Sequence, residues 1–193
     1  MMKLLVTIHP TEEPIGLSEA KLHLRVDDTA DDDLITALIV AARQRFEAVT
    51  WRSLITQTLV MKLDSWPCGQ CIELPRPPLV SVSSVQYTDD DGVTATFASS
   101  NYLVSTAGHP GAIVLKNSAD WPTTTLQAVD GISVTYVAGY GDAADVPQII
   151  KQAILMMVGH WYENREEIVA AAGVTAARVP FGAQSIMDML MVR

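Results

Sequence analysis

Two cysteines, Cys68 and Cys71, have the spacing of a thioredoxin-type redox motif. That chemistry needs the first cysteine at the start of a helix, whose dipole lowers the pKa of the thiol. The proline-rich residues 72–78 follow instead and cannot form such a helix. The flanking residues predict a plain hairpin turn between two strands. A structural disulfide or metal contact and redox catalysis are the alternatives.

The segment 139–144, GYGDAA, matches the alanine-ended form of the dinucleotide-binding fingerprint. Its context does not suit a nucleotide, because Pro147 would begin the next helix several residues too late to bind a pyrophosphate. Asp142 and Asp145 would also repel phosphate, and instead suit the positive end of that helix's dipole. We therefore expect no cofactor and interpret the glycines as the turn by which the chain leaves a sheet.

Metal-binding patterns are also incomplete. The aspartates at 27–33 and 89–91 lack the alternating ligands and closing glutamate of a calcium-binding loop, so helix capping and turn formation explain them better. The histidines form no paired-ligand spacing (His9, His23, His109, His160). Neither a nucleophile elbow nor a Walker loop occurs. These patterns predict no catalytic residue, no metal and no cofactor, and therefore a protein that is not an enzyme.

Composition narrows the class of protein further. The 193 residues are 49% hydrophobic and 18% charged, which is typical of a globular chain that can bury a core. A net charge of −9 argues against affinity for nucleic acid phosphates. The sequence contains no apolar run of the roughly 18 residues that a membrane span needs, and its N-terminus does not resemble a signal peptide. We expect a protein made in the cytoplasm.

Hydrophobic periodicity predicts an α+β fold, in which N- and C-terminal helices form a core around a β-rich middle. Helices are expected within 17–50, with Ser18 as an N-cap and a long helix over 32–50, and again within 147–191. The helix at 147–167 has an apolar face too wide for one core, and a shorter one is expected at 183–191. A mobile stretch is expected at 170–177. The whole chain, 1–193, is expected to be a single domain.

Alternating apolar and β-branched residues predict strands through the β-rich part, at about 54–138. Asp91-Gly92 is a hairpin signal there, because such turns need a positive φ. The strands are expected at 4–8, 55–63, 72–74, 80–87, 102–105, 112–115 and 132–137.

Several motifs in this order resemble the head–tail connector (head-completion adaptor) proteins of long-tailed bacteriophages and prophages. The resemblance covers nearly the whole chain, and the order and spacing of the motifs carry it. They are LSEAKLHLRVD at 17–27 followed by 31–34 and AAR at 41–43, LITQT at 54–58 with WP at 66–67, LPRPPL at 74–79, YVAGYG at 136–141 with VP at 146–147, and HWYENRE at 160–166.

This resemblance implies a structural protein of the virion neck. Its members would assemble as a homo-oligomeric ring of about twelve subunits, between the portal protein and a tail-side completion protein. The helical core would form the ring, DNA would pass through the channel without specific binding, and the C-terminal helix and residues 170–178 would order on contact with a partner ring. The family carries no catalytic residues to transfer.

Aromatic residues and arginine are the usual anchors of interfaces, so Met157, Trp161, Tyr162 and Arg165 are our candidates for the subunit contact. The alternative for Trp161 is an ordinary place in the monomer core. Two other functions stay open at this point. One is a small redox or metal-binding protein that uses Cys68 and Cys71, and the other is a generic bacterial binding module.

Overall fold

The computed structural model describes residues 2–164 and 180–192 and shows an α+β fold, as the sequence predicts. The chain divides into two compact units. The β unit comprises Met1–Pro10 and Thr56–Tyr140, and the helical unit comprises Thr11–Ile55 and Gly141–Arg193. The predicted order of a helix pair, a β-rich middle and a second helix pair is confirmed, but the N-terminal strand belongs to the β unit.

The β unit consists of two antiparallel sheets. One has five strands in the order β1-β2-β8-β4-β5, and the other has three in the order β3-β7-β6. The strands are β1 Met2–Ile8, β2 Gln57–Leu63, β3 Cys71–Leu74, β4 Leu79–Thr88, β5 Thr94–Thr96, β6 Tyr102–Ser105, β7 Gly111–Leu115 and β8 Ile132–Ala138.

Seven of these strands were predicted, most of them to within two residues at each end, whereas β5 was missed. Its three residues, Thr94–Thr96, are too few to show an alternating pattern. The hairpin signal that precedes β5 is confirmed. Gly92 has a φ of 82°, and the turn closes where Asp89 Oδ1 accepts the N–H of Val93 at 2.7 Å.

The inward faces of both sheets supply one hydrophobic core. Along β8 every second residue is buried, from Ile132 to Ala138, as expected for a central strand with one face on the core. Aromatic rings cluster in and against this core, and Trp66 and Trp121 stack with 4.8 Å between their ring centroids. Phe97 lies 5.5 Å from the Trp121 ring and 5.9 Å from Tyr102.

The helical unit contains α1 Leu17–Leu24, α2 Asp32–Thr50, α3 Gln148–Glu163 and α4 Phe181–Leu190. The bounds of α2 are those predicted. It ends where Trp51 adopts a left-handed conformation with φ 56° and donates its N–H to the Glu47 carbonyl at 3.0 Å. Ser18 was wrongly predicted as an N-cap, because α1 already begins at Leu17 with Gly16 in the capping position. The helix predicted at 147–167 ends at Glu163 in the structure, where Asn164 has left the helical conformation. Residues 165–167, and the stretch at 170–178, lie outside the described residues.

Helices α2 and α3 each pack against the three other helices, so these two lie at the centre of this unit. The wide apolar face noted in the sequence is mostly covered by the chain's own helices, and Leu155 and even Lys151 are buried. Ile149 is the large apolar side chain of α3 that stays exposed, at 44%. The wide apolar face of α3 therefore reflects burial within one chain more than contact with a neighbouring subunit.

Within residues 2–164 and 180–192, no helix has the length and apolar character to cross a bilayer.

Candidate assembly surfaces

The predicted interface residues on α3 differ in what they can offer a neighbour. Met157 is fully buried within the chain, so its side chain has no surface for a second subunit. Trp161 and Tyr162 are half-buried near the end of α3, and the Tyr162 hydroxyl donates to Asp31 Oδ2 at 2.5 Å. Arg165 lies outside the described residues. The interface thus stays a prediction that Trp161 and Tyr162 can still support.

Exposed apolar side chains mark other surfaces that the sequence did not single out. In α4, Phe181 is 89% exposed and Met189 is 64% exposed. In the β unit, the exposed apolar side chains concentrate on β1 and β6. Sequence patterns could not separate these residues from core residues. The local sequence around an apolar residue in a short element does not show whether another element covers it.

A buried ionic cluster holds the segment before α1 against α2. Arg43 Nε donates to Glu13 Oε2 at 2.6 Å, and its Nη1 donates to Glu47 Oε2 at 3.1 Å. Glu47 Oε1 also accepts the N–H of Leu54 at 2.9 Å. Burial opposes the charge of Arg43, but the Glu13 hydrogen bond and the charges of both glutamates outweigh it and raise the pKa of the guanidinium.

Two of the motifs that carry the resemblance contact each other in the β unit. The Tyr136 hydroxyl, on β8, donates to the carbonyl of Pro75 at 2.7 Å. The N–H of Gly139 donates to the carbonyl of Pro78 at 2.9 Å. Tyr136 is fully buried, and this burial raises the pKa of its phenol. The LPRPPL and YVAGYG segments are therefore one structural feature, in which the second fixes the path of the first.

The surroundings of Cys71 do not activate its thiol. Cys68 and Cys71 are both free and exposed. Burial, and secondarily the charge of Glu73, raise the pKa of the Cys71 thiol, whereas redox catalysis needs it lowered. The predicted hairpin is wrong in one respect: β2 pairs with β1 and β8 while β3 pairs with β7, so this turn carries the chain from one sheet to the other.

Because both thiols are exposed, the double variant Cys68→Ser, Cys71→Ser is expected to keep its stability to within about 0.5 kcal/mol. Urea unfolding measures that difference. Assembly in solution, followed by light scattering behind a sizing column, is also expected to match that of the unsubstituted protein. Loss of assembly in the variant would restore a functional role for the pair.

The glycines and aspartates at 139–145 build a turn, as expected. Gly139 and Gly141 both have positive φ, at 136° and 135°. Asp142 and Asp145 form a capping box around a short 3-10 helix, Ala143–Asp145, rather than capping α3 itself. A side chain at position 141 would collide with Asp145, since a Cβ there would lie 2.3 Å from its Oδ2.

Two histidines far apart in the sequence line one cavity of the helical unit. His23 and His160 lie with Arg25 and Glu163 around a volume of about 470 Å³. Among residues 2–164 and 180–192, no group of three or more His, Cys, Asp or Glu side chains is arranged to hold a metal ion. The aspartates at 27–33 serve the structure instead; Lys21 Nζ, for example, contacts Asp32 Oδ1 at 2.6 Å.

Comparison with known proteins identifies the family of this chain. A family model described as "Head completion protein" matches residues 15–184, which includes parts of both units. The chain belongs to the head completion protein family. All the motifs on which the resemblance rested, from 17–27 to 160–166, lie within this match, which confirms the resemblance at the level of the family.

Solved structures share the fold of this head completion protein. A chain in "Virion of native gene transfer agent (GTA) particle" is 21% identical with a TM-score of 0.81, over 98% of this chain and 95% of that one. A chain in "Neck of empty GTA particle computed with C6 symmetry" is 21% identical with a TM-score of 0.78, over 100% and 96%. One in "Neck of native GTA particle computed with C12 symmetry" is 22% identical with a TM-score of 0.73, again over 100% and 96%.

No curated protein matches the sequence. The identities to the solved chains are low, so these likenesses establish a common fold. They cover both units of the chain, which means that the β unit and the helical unit occur together in the similar proteins as well.

Proposed function

We propose that this head completion protein is a head–tail connector adaptor, a structural protein that acts without catalysis. It completes the DNA-filled head of a tailed phage or prophage and provides the surface to which the tail docks. The observation that carries the proposal is the family match over residues 15–184. The raised pKa of Cys71 gives no support to the redox alternative.

The working form in this proposal is a homo-oligomeric ring. Two of the similar structures are necks of gene transfer agent particles, described with C6 and C12 symmetry. A ring of about twelve copies of this chain is the assembly that such symmetry supports. The two units of each chain would act together as one connector domain.

The proposed place of the ring is the virion neck, between the portal protein and a tail-side completion protein. DNA would pass through its channel, and the net charge of −9 suits a wall along which a polyanion must slide without being held. For the contact between subunits we retain Trp161 and Tyr162, whose half-buried rings keep some surface, together with Arg165.

Light scattering behind a sizing column, over a range of protein concentrations and with purified portal protein added, tests this proposal. We expect a ring-sized species, or a monomer that becomes one when portal is present. In the same assay Trp161→Ala is expected to weaken ring formation about tenfold or more, as loss of an aromatic anchor does. A monomer or dimer that is indifferent to portal would overturn the proposal.

A further inference from the structure

The first strand of the β unit is an open edge with exposed apolar side chains. Among the described residues, β1 pairs with β2 on one side only. Leu5 is 53% exposed and Ile8 is 60% exposed. Leu4 packs on the core, yet Met2 and Val6, two positions to either side of it, are 47% and 36% exposed. The strand therefore leaves apolar surface uncovered toward both faces of the sheet.

This edge also lacks most of the devices that keep a strand from pairing with another chain. It is seven residues long and contains no proline. Its one charged side chain is engaged, since Lys3 Nζ bonds Asp130 Oδ1 at 3.0 Å. The single irregularity of register lies at its end, between Val6 and Ile8. An edge of this kind is a template for strand addition.

A second open edge has the same character. Strand β6 ends the three-stranded sheet, and Leu103 and Val104 are 59% and 39% exposed although they point to opposite faces. The remaining edges differ: β5 is a three-residue strand of Thr, Ala and Thr, and β3 exposes Cys71 and Glu73 but buries its apolar residues. Strand β4 also lacks a strand partner on one side over residues 79–84, because β5 pairs only with Gln86–Thr88, but its ladder with β8 has two register shifts there and Val80 is its exposed large apolar side chain. In the described part of the β unit, β1 and β6 are thus the two edge strands with large apolar side chains exposed toward both faces.

A cyclic ring needs two different surfaces on each subunit, because every contact joins one surface of a copy to the other surface of the next copy. Two open apolar edges on one unit satisfy this requirement. We infer that β1 of one subunit pairs with β6 of the next, so that β-strand addition joins neighbouring copies of this chain around the ring. The inference rests on the proposed ring and adds a second contact between subunits to the one proposed for Trp161 and Tyr162, and both are needed for the ring to form.

A charge placed on either edge tests the pairing. The variants Leu5→Lys and Leu103→Lys each put an ammonium group where the neighbouring strand would bury an apolar side chain. Val129→Lys is the matched control, because Val129 is 56% exposed in the same unit and belongs to neither strand. All three monomers are expected to unfold at the same urea concentration as the unsubstituted chain. The two edge variants are expected to need at least a tenfold higher protein concentration to form rings, whereas the control is expected to form rings at the same concentration as the unsubstituted chain.

Mixing the two edge variants gives the sharper result. Leu5→Lys keeps an intact β6 edge and Leu103→Lys keeps an intact β1 edge, so one contact between them remains possible. An equal mixture is therefore expected to form one-to-one heterodimers that grow no further, whereas each variant alone stays monomeric. Mass photometry or analytical ultracentrifugation distinguishes these species.

Rings formed by both edge variants, or the absence of heterodimers in the mixture, would overturn the pairing while leaving the ring itself intact. Variants that form normal rings but no longer bind portal would assign the edges to the portal and equally overturn it. If the unsubstituted chain forms no ring under any condition, the proposed function fails first and this inference fails with it.

Discussion

Arg43→Ala is expected to destabilise the helical unit by about 3–5 kcal/mol, the usual cost of removing one partner from a buried ionic cluster. The side chain of Arg43 is 11% exposed and that of Glu47 is 8% exposed. Without the guanidinium, Glu13 and Glu47 would both lose the cation that lies between them. Urea unfolding, followed by the far-ultraviolet circular dichroism of the helices, measures the loss.

Arg45→Ala is the matched control, because Arg45 lies two positions further along α2 and is exposed. It is expected to change the free energy of unfolding by no more than about 0.5 kcal/mol. Glu47→Gln should cost less in the Arg43→Ala background than in the unsubstituted chain, since the two residues act as a pair. Equal effects of Arg43→Ala and Arg45→Ala would show that the buried cluster does not stabilise the unit.

Phe97→Ala is expected to destabilise the β unit by about 3–5 kcal/mol, as the removal of a buried aromatic side chain does. Phe97 is 6% exposed and contacts Trp66, Trp121 and Tyr102. Truncation leaves a cavity beside these rings and removes two tilted ring contacts and one stacked contact. The stacked Trp66 and Trp121 give a near-ultraviolet circular dichroism signal with which to follow unfolding.

Val93→Ala serves as the control for Phe97→Ala, because Val93 directly precedes β5, Phe97 directly follows it, and Val93 is 62% exposed. Val93→Ala is expected to change the free energy of unfolding only slightly. Phe97→Leu should lie between the two, since leucine refills part of the volume. A near-native unfolding midpoint for Phe97→Ala would mean that the surrounding rings collapse into the space, and would contradict the expected cost.

Local regularity is what made parts of this fold predictable. The apolar spacing of Ile35, Ile39 and Phe46 along one face determined α2 to the residue, because a long amphipathic helix repeats its signal over several turns. The alternation in β8 predicted a central strand at 132–137, one residue shorter than the strand in the structure. The Asp91-Gly92 turn was also predictable from the sequence, since few residues tolerate the positive φ that it needs.

The sequence did not predict which distant segments contact each other. The turn through Cys68 looked like a hairpin because strand, turn and strand are local, whereas the assignment of β2 and β3 to different sheets depends on pairing with residues at least 37 positions away (Leu74 with Gly111, 111 − 74 = 37). The Arg43–Glu13 bond joins positions 30 apart, and only the i,i+4 spacing of Arg43 and Glu47 hinted at it. His23 and His160 likewise meet only in the folded helical unit.

The sequence by itself determined the α+β class, the head-completion resemblance and the expectation of a structural role, because composition, periodicity and motif order are properties of the chain. Only the tertiary structure decided which apolar residues remain available for assembly. Met157 is enclosed by its own helices, while Leu5 and Leu103 have no covering element. The physical reason is that burial depends on what packs over a residue, and that information lies in contacts between segments and not in the residue's own neighbourhood.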